Sequence, residues 1–193
     1  RFVREQGLSD KNELHVITAG GPLLLQHRED GLVSVNMGQP NFAPASLPFT
    51  TDHQAPRYSV ADGLGNIEFG AVSMGNPHIV LPVDNINDAA VERLGPLLEQ
   101  HPSFPNRVNV GFVQVVNSNT AKLRVYERGA GETLACGTGA CAAMAVSHLW
   151  EQLDNEAEIQ LAGGSLFIRW QPGQDLWMTG PAETVYHATI EID

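Results

Sequence analysis

Short apolar runs separated by turn residues dominate the first part of the chain. Between Glu13 and Met37, three apolar or alternating runs are separated by Gly-Gly-Pro and Glu-Asp-Gly, which are typical of β-hairpin turns. We therefore predict an antiparallel meander of three strands. A Pro-rich connector follows over 39–49. Because proline fits neither a helix interior nor a central strand, this connector is the predicted boundary between two parts of the chain.

The remainder is predicted to be strand-rich with two helices. Alternating or apolar runs predict five strands, at 57–61, 66–74, 78–83, 108–116 and 121–129. A helix is predicted over 87–101 with Asp88 as its cap, and the residues predicted to form its apolar face are Val91, Leu94, Leu97 and Leu98. A second, alanine-rich helix is predicted from about Thr138 to Leu153, followed by a hairpin at Gly163–Gly164 and final strands.

This order of elements predicts the fold class α+β, in which a curved, mostly antiparallel sheet wraps around a helix. The length of 193 residues and a hydrophobic fraction of 42% supply a sizeable core. A net charge of −11 without a basic cluster argues against a nucleic-acid partner. No apolar run reaches the roughly 20 residues of a membrane span, and no signal peptide opens the chain. We therefore expect a soluble, cytoplasmic protein without a membrane partner.

The stretch "ERGAGETLACGTGACAAMA" over 127–145 contains both cysteines of the chain. Gly137, Thr138 and Gly139 are predicted to begin the alanine-rich helix, where free N–H groups favour an anion such as a carboxylate or phosphate. Cys136 immediately precedes this helix start, a position that favours the thiolate. The thiol is a candidate base or nucleophile, and ordinary burial is the alternative.

Cys141 is predicted to have a different role. Five residues along a helix place it about 7.5 Å further on and about 140° around the axis, so it cannot share a target with Cys136. Its alanine neighbours indicate a small buried residue. A single C-x4-C without a His/Cys cluster lacks the usual zinc-ligand spacing, and we expect no metal and no cofactor.

Other polar residues interrupt apolar runs. Pro77 is expected to hold Asn76 and His78 so that both side chains face one cleft, although a turn-forming Asn-Pro with a bystander histidine explains the pattern equally well. Asn109 lies in an apolar strand and, if it faces inward, requires a backbone or ligand partner. Glu127 and Arg128 precede a glycine turn and form either a zwitterion-binding pair or a solvated strand end.

Together, "YERGAGETLACGTGACAAMAV", "SMGNPH", "NVGF", "VNMGQPNF" and "MTGPAETVY" resemble the diaminopimelate epimerases, a family of amino-acid racemases that use no pyridoxal phosphate. The resemblance covers essentially the whole chain. It implies interconversion of LL- and meso-diaminopimelate, a step of lysine and peptidoglycan precursor synthesis, without metal or cofactor. In this family two cysteines, one on each face of the α-carbon, exchange the proton.

The resemblance also implies roles for individual residues. Cys136 matches the second catalytic cysteine, and Glu127 and His78 match polar residues close to the reacting centre that orient the amino group or tune the thiols. The positions that match substrate-binding residues are Asn76, Asn109, Glu127, Arg128, Gly137 and Thr138. Tyr186 matches a contact of the family's homodimer.

The chain departs from the family pattern at its start. The family's first catalytic cysteine belongs to a "CGNG"-type motif, and the opening "RFVREQGL" resembles the end of the helix that follows that motif. We therefore expect the chain to be a truncated form, inactive alone. Its expected divisions are 1–36, strands of an incomplete first half; 37–181, a complete second half; and 182–193, a strand returning to the first half.

Two alternatives to a diaminopimelate epimerase remain at this stage. A related cofactor-independent isomerase with another substrate would keep Cys136 and the anion site at the helix start. A non-catalytic half-domain that binds a carboxylate would keep the anion site alone.

Overall fold

One continuous mixed sheet organises the protein. The computed structural model describes residues 1–18, 20–61 and 65–191. The strands of the described residues are β1 Glu13–Thr18, β2 Gly21–His27, β3 Val33–Asn36, β4 Tyr58–Ala61, β5 Asn66–Ser73, β6 Pro77–Pro82, β7 Asn109–Asn117, β8 Thr120–Glu127, β9 Gly131–Thr133, β10 Glu156–Leu161, β11 Gly164–Arg169 and β12 Trp177–Gly180. The helices are α1 Phe2–Glu5, α2 Val91–Glu99 and α3 Gly137–Leu149, with 3-10 turns at Pro44–Ser46 and Ile86–Asp88.

The strand order is β1-β2-β3-β12-β11-β10-β8-β7-β6-β5-β4, with β9 paired to β8. Within the described ranges, neighbours pair antiparallel except for β6 with β7 and β8 with β10. Parallel neighbours require a crossover connection, and the chain supplies one through α2 and the other through α3. The α+β class and the mostly antiparallel sheet predicted from the sequence are confirmed.

Helix α3 is buried along most of its length. Every residue from Gly139 to Ser147 is buried, and strands β5, β6, β7, β8, β10 and β11 all contact the helix. Its small side chains allow this close approach on several sides. Apolar strand residues such as Val72, Val113 and Ile168 complete the core around it. The predicted arrangement, a curved sheet around an alanine-rich helix, is confirmed.

The opposite face of β5, β6 and β7 carries a second core. Because alternate strand residues point to opposite faces, Phe69, Ile79 and Phe112 pack away from α3 and against α2 and the connector. Leu47 of the Pro-rich connector is buried in this second core. The central strands are therefore covered on both faces, which explains their nearly continuous apolar sequence.

Three details of the predicted helices are wrong. Helix α2 begins after Ala90, without a side-chain cap. Asp88 instead ends a 3-10 turn that Asn85 caps by accepting a hydrogen bond from the Asn87 N–H. The buried face of α2 includes Glu99 rather than Leu97, which is exposed. Helix α3 ends at Leu149 rather than near Leu153.

The two ends of the chain contact each other. A strand was predicted over 182–193, but the described residues 182–191 form none. Residues 192–193 lie outside the described residues. The Arg1 guanidinium donates to the Ala182 carbonyl at 3.1 Å, and the Thr184 hydroxyl donates to the Glu5 carboxylate at 2.9 Å.

The predicted boundary near residue 37 is not a break in the sheet, because β3 pairs with β12. The division at 36/37 between an incomplete first half and a complete second half stays a prediction. None of the described helices combines the length and the apolar character needed to cross a membrane.

Gly70 tests the packing of α3 against the sheet. A Cβ on Gly70 would lie 2.4 Å from a methyl group of Val146 and 3.0 Å from the Trp150 ring, so we expect Gly70→Ala to lower the free energy of unfolding by about 1–3 kcal/mol through overpacking. Gly111→Ala is the matched control, because its Cβ would meet Leu123 at an ordinary 3.4 Å. Urea unfolding of both variants makes the measurement; equal stabilities would contradict the close approach.

Candidate active site

Cys136 is the residue that caps the N-terminus of α3. Its backbone is extended (φ −142°, ψ 105°), and its carbonyl accepts the first helical hydrogen bond from the Ala140 N–H at 2.9 Å. The N–H groups of Gly137 and Thr138 have no acceptor within the helix, as in every first helical turn. The predicted helix start is confirmed, and it places a thiol directly beside these free donors.

The Cys136 sulfur has three polar neighbours. Its S–H donates to Oε2 of Glu127 at 3.2 Å, and the Thr138 hydroxyl lies 3.7 Å from the sulfur. The Gly139 N–H is the third polar neighbour, although the Cys136 side chain makes no capping hydrogen bond to the helix start. A Cβ on Gly139 would lie 3.2 Å from the sulfur and 3.1 Å from Val125, so only glycine fits this position without displacing a neighbour.

The expectation that the helix start favours the thiolate is wrong for this structure. Burial, followed by the hydrogen bond to Glu127, raises the pKa of Cys136 to about 11, against the opposing effects of the Thr138 hydroxyl and the Gly139 N–H. The side chain is only 6% exposed, and the loss of water around the anion outweighs the favourable dipole. Cys136 is therefore held as a protonated thiol at neutral pH.

Asn76 and His78 form a short chain of hydrogen bonds that reaches the helix start. The Asn76 amide donates to the Thr138 hydroxyl at 3.4 Å, and its Oδ1 lies 3.1 Å from Nε2 of His78. Burial, assisted by the nearby positive charge of Arg128, lowers the pKa of His78 to about 3. Because Oδ1 only accepts, the neutral ring donates through Nε2 and orients the amide. Asn76 and His78 are brought together as predicted.

Asn109 is buried and faces inward, and backbone groups occupy its amide. Its Nδ2 donates to the Pro77 carbonyl and its Oδ1 accepts from the Arg128 N–H, both at 2.9 Å. The Arg128 guanidinium is held at the Asn106 carbonyl, 3.1 Å away. Glu127 and Arg128 thus extend toward different partners, with Glu127 directed at the thiol. Their roles in binding a substrate stay predictions.

The sequence interpretation missed two residues that support this site. The Thr133 hydroxyl donates to Oε1 of Glu127 at 2.6 Å, and the pairing of Glu127 with Gly131 across a glycine turn was a signal that could have placed Thr133 there. Glu99 is a buried carboxylate that accepts from the Gly129 N–H at 3.1 Å and from Arg107 at 3.3 Å. No periodic signal distinguishes Glu99 from an exposed glutamate.

Cys141 and Tyr186 lie away from these contacts. Cys141 is fully buried in the core around α3, which confirms its predicted burial and raises the pKa of its thiol. Tyr186 lies in the C-terminal segment without regular structure, and its side chain is exposed. Its role in a dimer contact stays a prediction.

Solved structures with a similar fold include a hydroxyproline epimerase, a probable proline racemase and a phenazine biosynthesis protein. A hydroxyproline epimerase from Agrobacterium vitis is 18% identical with a TM-score of 0.65, covering 93% of this chain and 61% of its own. A probable proline racemase from Agrobacterium radiobacter K84 is 17% identical with a TM-score of 0.69, covering 99% and 65%. A phenazine biosynthesis protein of the PhzF family from Bacillus anthracis is 15% identical with a TM-score of 0.56, covering 93% and 69%.

These structures share the fold of this chain, and the chain spans less than two thirds of the length of the first two. The sequence itself gives the family. Residues 70–185 match the family described as diaminopimelate epimerase, and this range includes Asn76, Cys136 and the elements between them. The chain belongs to the diaminopimelate epimerase family.

The raised pKa of Cys136 predicts an unusual alkylation profile. The rate of reaction with iodoacetamide should stay low near pH 8 and reach half of its maximum near pH 11, since the thiolate is the reactive form. Glu127→Gln removes a negative charge beside the sulfur, so it should lower the pKa and accelerate the reaction at pH 8. Rates measured by mass spectrometry in a Cys141→Ala background isolate this thiol. An unchanged profile in Glu127→Gln would contradict the assigned contact.

The buried contacts of Glu99 predict that its removal lowers the stability of the fold. Glu99→Ala would leave the Gly129 N–H without its buried acceptor and Arg107, whose side chain is half exposed, without its partner, and we expect a loss of about 1–3 kcal/mol in the free energy of unfolding. Glu92→Ala is the control, because Glu92 is exposed on the same helix. Urea denaturation compares the two variants, and similar small losses would show that the Glu99 contacts do not hold the turn.

Proposed function

We propose that the whole protein is a diaminopimelate epimerase, an isomerase that interconverts LL- and meso-2,6-diaminopimelate without pyridoxal phosphate. The single observation that carries the proposal is the Cys136 thiol at the start of α3, donating to Glu127 at 3.2 Å within the segment that matches the family. The quoted motifs around Cys136, Asn76 and Asn109 support diaminopimelate as the substrate.

The helix start provides a site for the α-carboxylate of the substrate. Free N–H groups at Gly137 and Thr138 donate to an anion, and the aligned peptide dipoles favour negative charge there. When the α-proton leaves, negative charge spreads from the α-carbon into this carboxylate. The same donors then stabilise the carbanion more than the substrate, which is the requirement for lowering the barrier.

Cys136 supplies the proton in one direction of the reaction. It is held as a thiol, so it donates its proton to one face of the carbanion and becomes a thiolate, while a base on the opposite face has taken the original α-proton. In the reverse direction the Cys136 thiolate removes the proton. A raised pKa suits this exchange, because a weakly acidic thiol gives a strongly basic thiolate.

The opposite face requires a second group. Cys141 is buried in the core of α3, and His78 is buried, neutral and committed to Asn76, so neither suits that role. We infer that a cysteine from a part of the family fold outside these 193 residues faces Cys136, and that the chain alone does not invert its substrate. The homodimer contact at Tyr186 belongs to this proposal for the whole protein.

A related isomerase with another substrate is the second candidate. One observation favours it: the structural neighbours include a hydroxyproline epimerase and a probable proline racemase. Substrate selection distinguishes the two candidates, because a proline-type ligand lacks the distal amino-acid group of diaminopimelate.

Hydrogen exchange in deuterated water tests the proposal. The chain alone should leave LL-diaminopimelate unlabelled, and addition of a polypeptide bearing the family's "CGNG"-type segment should produce α-deuteration and meso product, measured by mass spectrometry and chiral chromatography. In the reconstituted protein, Cys136→Ala should abolish exchange, whereas Cys141→Ala should retain it.

Each opposing result identifies a different failure. Exchange by the Cys136→Ala protein would refute the thiol mechanism. Faster exchange of proline or hydroxyproline than of diaminopimelate would favour the second candidate. Carboxylate binding without exchange in the reconstituted protein would show a binding domain rather than an enzyme.

A further inference from the structure

The Glu127 carboxylate uses its two oxygens for different partners. Oε2 accepts the S–H of Cys136 at 3.2 Å, and Oε1 accepts the hydroxyl of Thr133 at 2.6 Å. A carboxylate turns easily about its last side-chain bond. A partner on one oxygen therefore determines where the other oxygen points.

The hairpin of β8 and β9 explains why Thr133 reaches this oxygen. Val125 pairs with Thr133, and Glu127 pairs with Gly131 two positions further on. Residues two apart on a strand share a face, so Thr133 lies diagonally across from Glu127 on the face that carries the sulfur. The distance of 2.6 Å is in the range of a charge-assisted hydrogen bond.

We propose that Thr133 is a positioning residue for the Cys136 thiol: its hydroxyl holds Oε1 of Glu127 so that Oε2 faces the sulfur. The inference rests on the proposed role of Cys136 as a proton donor. Thr133 need not touch the substrate in this role. Thr133 holds the Glu127 carboxylate, and this carboxylate keeps the thiol protonated by accepting the S–H hydrogen bond of Cys136 between turnovers.

The consequence is a chain of dependence from Thr133 through Glu127 to the sulfur. Without the Thr133 hydroxyl, the carboxylate turns among several orientations and its contact with the sulfur weakens. The hydrogen bond to Glu127 is one of the causes that raise the pKa of Cys136. Its loss should therefore lower that pKa in the same direction as Glu127→Gln, but by less.

Alkylation against pH measures this dependence without requiring turnover. In the Cys141→Ala background, we expect Thr133→Val to accelerate reaction with iodoacetamide at pH 8 by about 3- to 10-fold, corresponding to a fall in pKa of about 0.5 to 1. Valine preserves the branched shape on the strand. Thr133→Ser retains a hydroxyl and should restore the original profile, which a purely structural role for the methyl group would not predict.

A double-mutant cycle tests whether Thr133 acts through Glu127. In the Glu127→Gln background, Thr133→Val should produce a much smaller change than it does alone, since the charged partner is already gone. An equal change in both backgrounds, or no change from Thr133→Val alone, would overturn the proposal. So would an unchanged profile in Glu127→Gln, because the intermediate contact would then be missing.

These results are separate from the test of the proposed function. If Cys136→Ala abolishes deuterium exchange but Thr133→Val leaves the alkylation rate unchanged, only the positioning role is rejected. If the reconstituted protein does not exchange the α-proton of diaminopimelate but Thr133→Val accelerates alkylation, only the epimerase function is rejected.

Discussion

The burial of α3 by the curved sheet is the constraint on which the site depends. A helix with a large side chain on each face could not approach six strands closely, so the alanines of α3 and the absence of a side chain at Gly70 are conditions for the fold. Once the helix is enclosed, its first turn has one possible position relative to β8 and β9. Cys136, Glu127 and Thr133 meet because α3 begins at Gly137, shortly after the second strand of this hairpin ends at Thr133.

The same enclosure determines the state of the thiol. A helix start favours an anion, and a buried position opposes one; at Cys136 the second effect is larger. Because the sulfur stays neutral and makes no capping hydrogen bond, the free N–H groups of the first turn can donate to a ligand carboxylate instead of a thiolate. In the proposed mechanism, two tasks are therefore divided between different groups: the backbone N–H groups bind the anion, and the neutral Cys136 sulfur transfers the proton.

Local sequence patterns were sufficient for much of this architecture. Hairpins at turn sequences, the meander of β1 to β3 and the start of α3 at Gly137 depend on neighbours in sequence, and each was predicted. Short apolar or alternating runs predicted the strand character of the central strands in the same way. The end of α3 and the cap of α2 were wrong, because side-chain signals such as Asp88 compete with tertiary contacts that a single sequence does not show.

The same contrast between local sequence signals and tertiary contacts applies to the residues of the site. Cys136 was predicted at the helix start, and Asn76 and His78 were predicted to face one cleft; hydrogen bonds connect Asn76 to His78 and to Thr138 beside Cys136. The direction of the Cys136 pKa and the burial of Glu99 were not predictable, since both depend on how much water the rest of the fold removes. A carboxylate becomes a structural anchor only when segments distant in sequence, here the loop at Arg107 and the turn at Gly129, converge on it.

This division also bears on how one fold accommodates different substrates. In the proposed mechanism, the helix start and the adjacent thiol recognise a carboxylate and an α-proton, which are common to the α-amino acids, and backbone groups supply much of that recognition. The turn that carries Arg128 is held by Asn109 and Glu99 outside the thiol site. Because the same turn joins Glu127 to the strand of Thr133, changes in its backbone would also affect the groups that face the thiol, whereas exposed side chains on it contact neither α3 nor the sulfur.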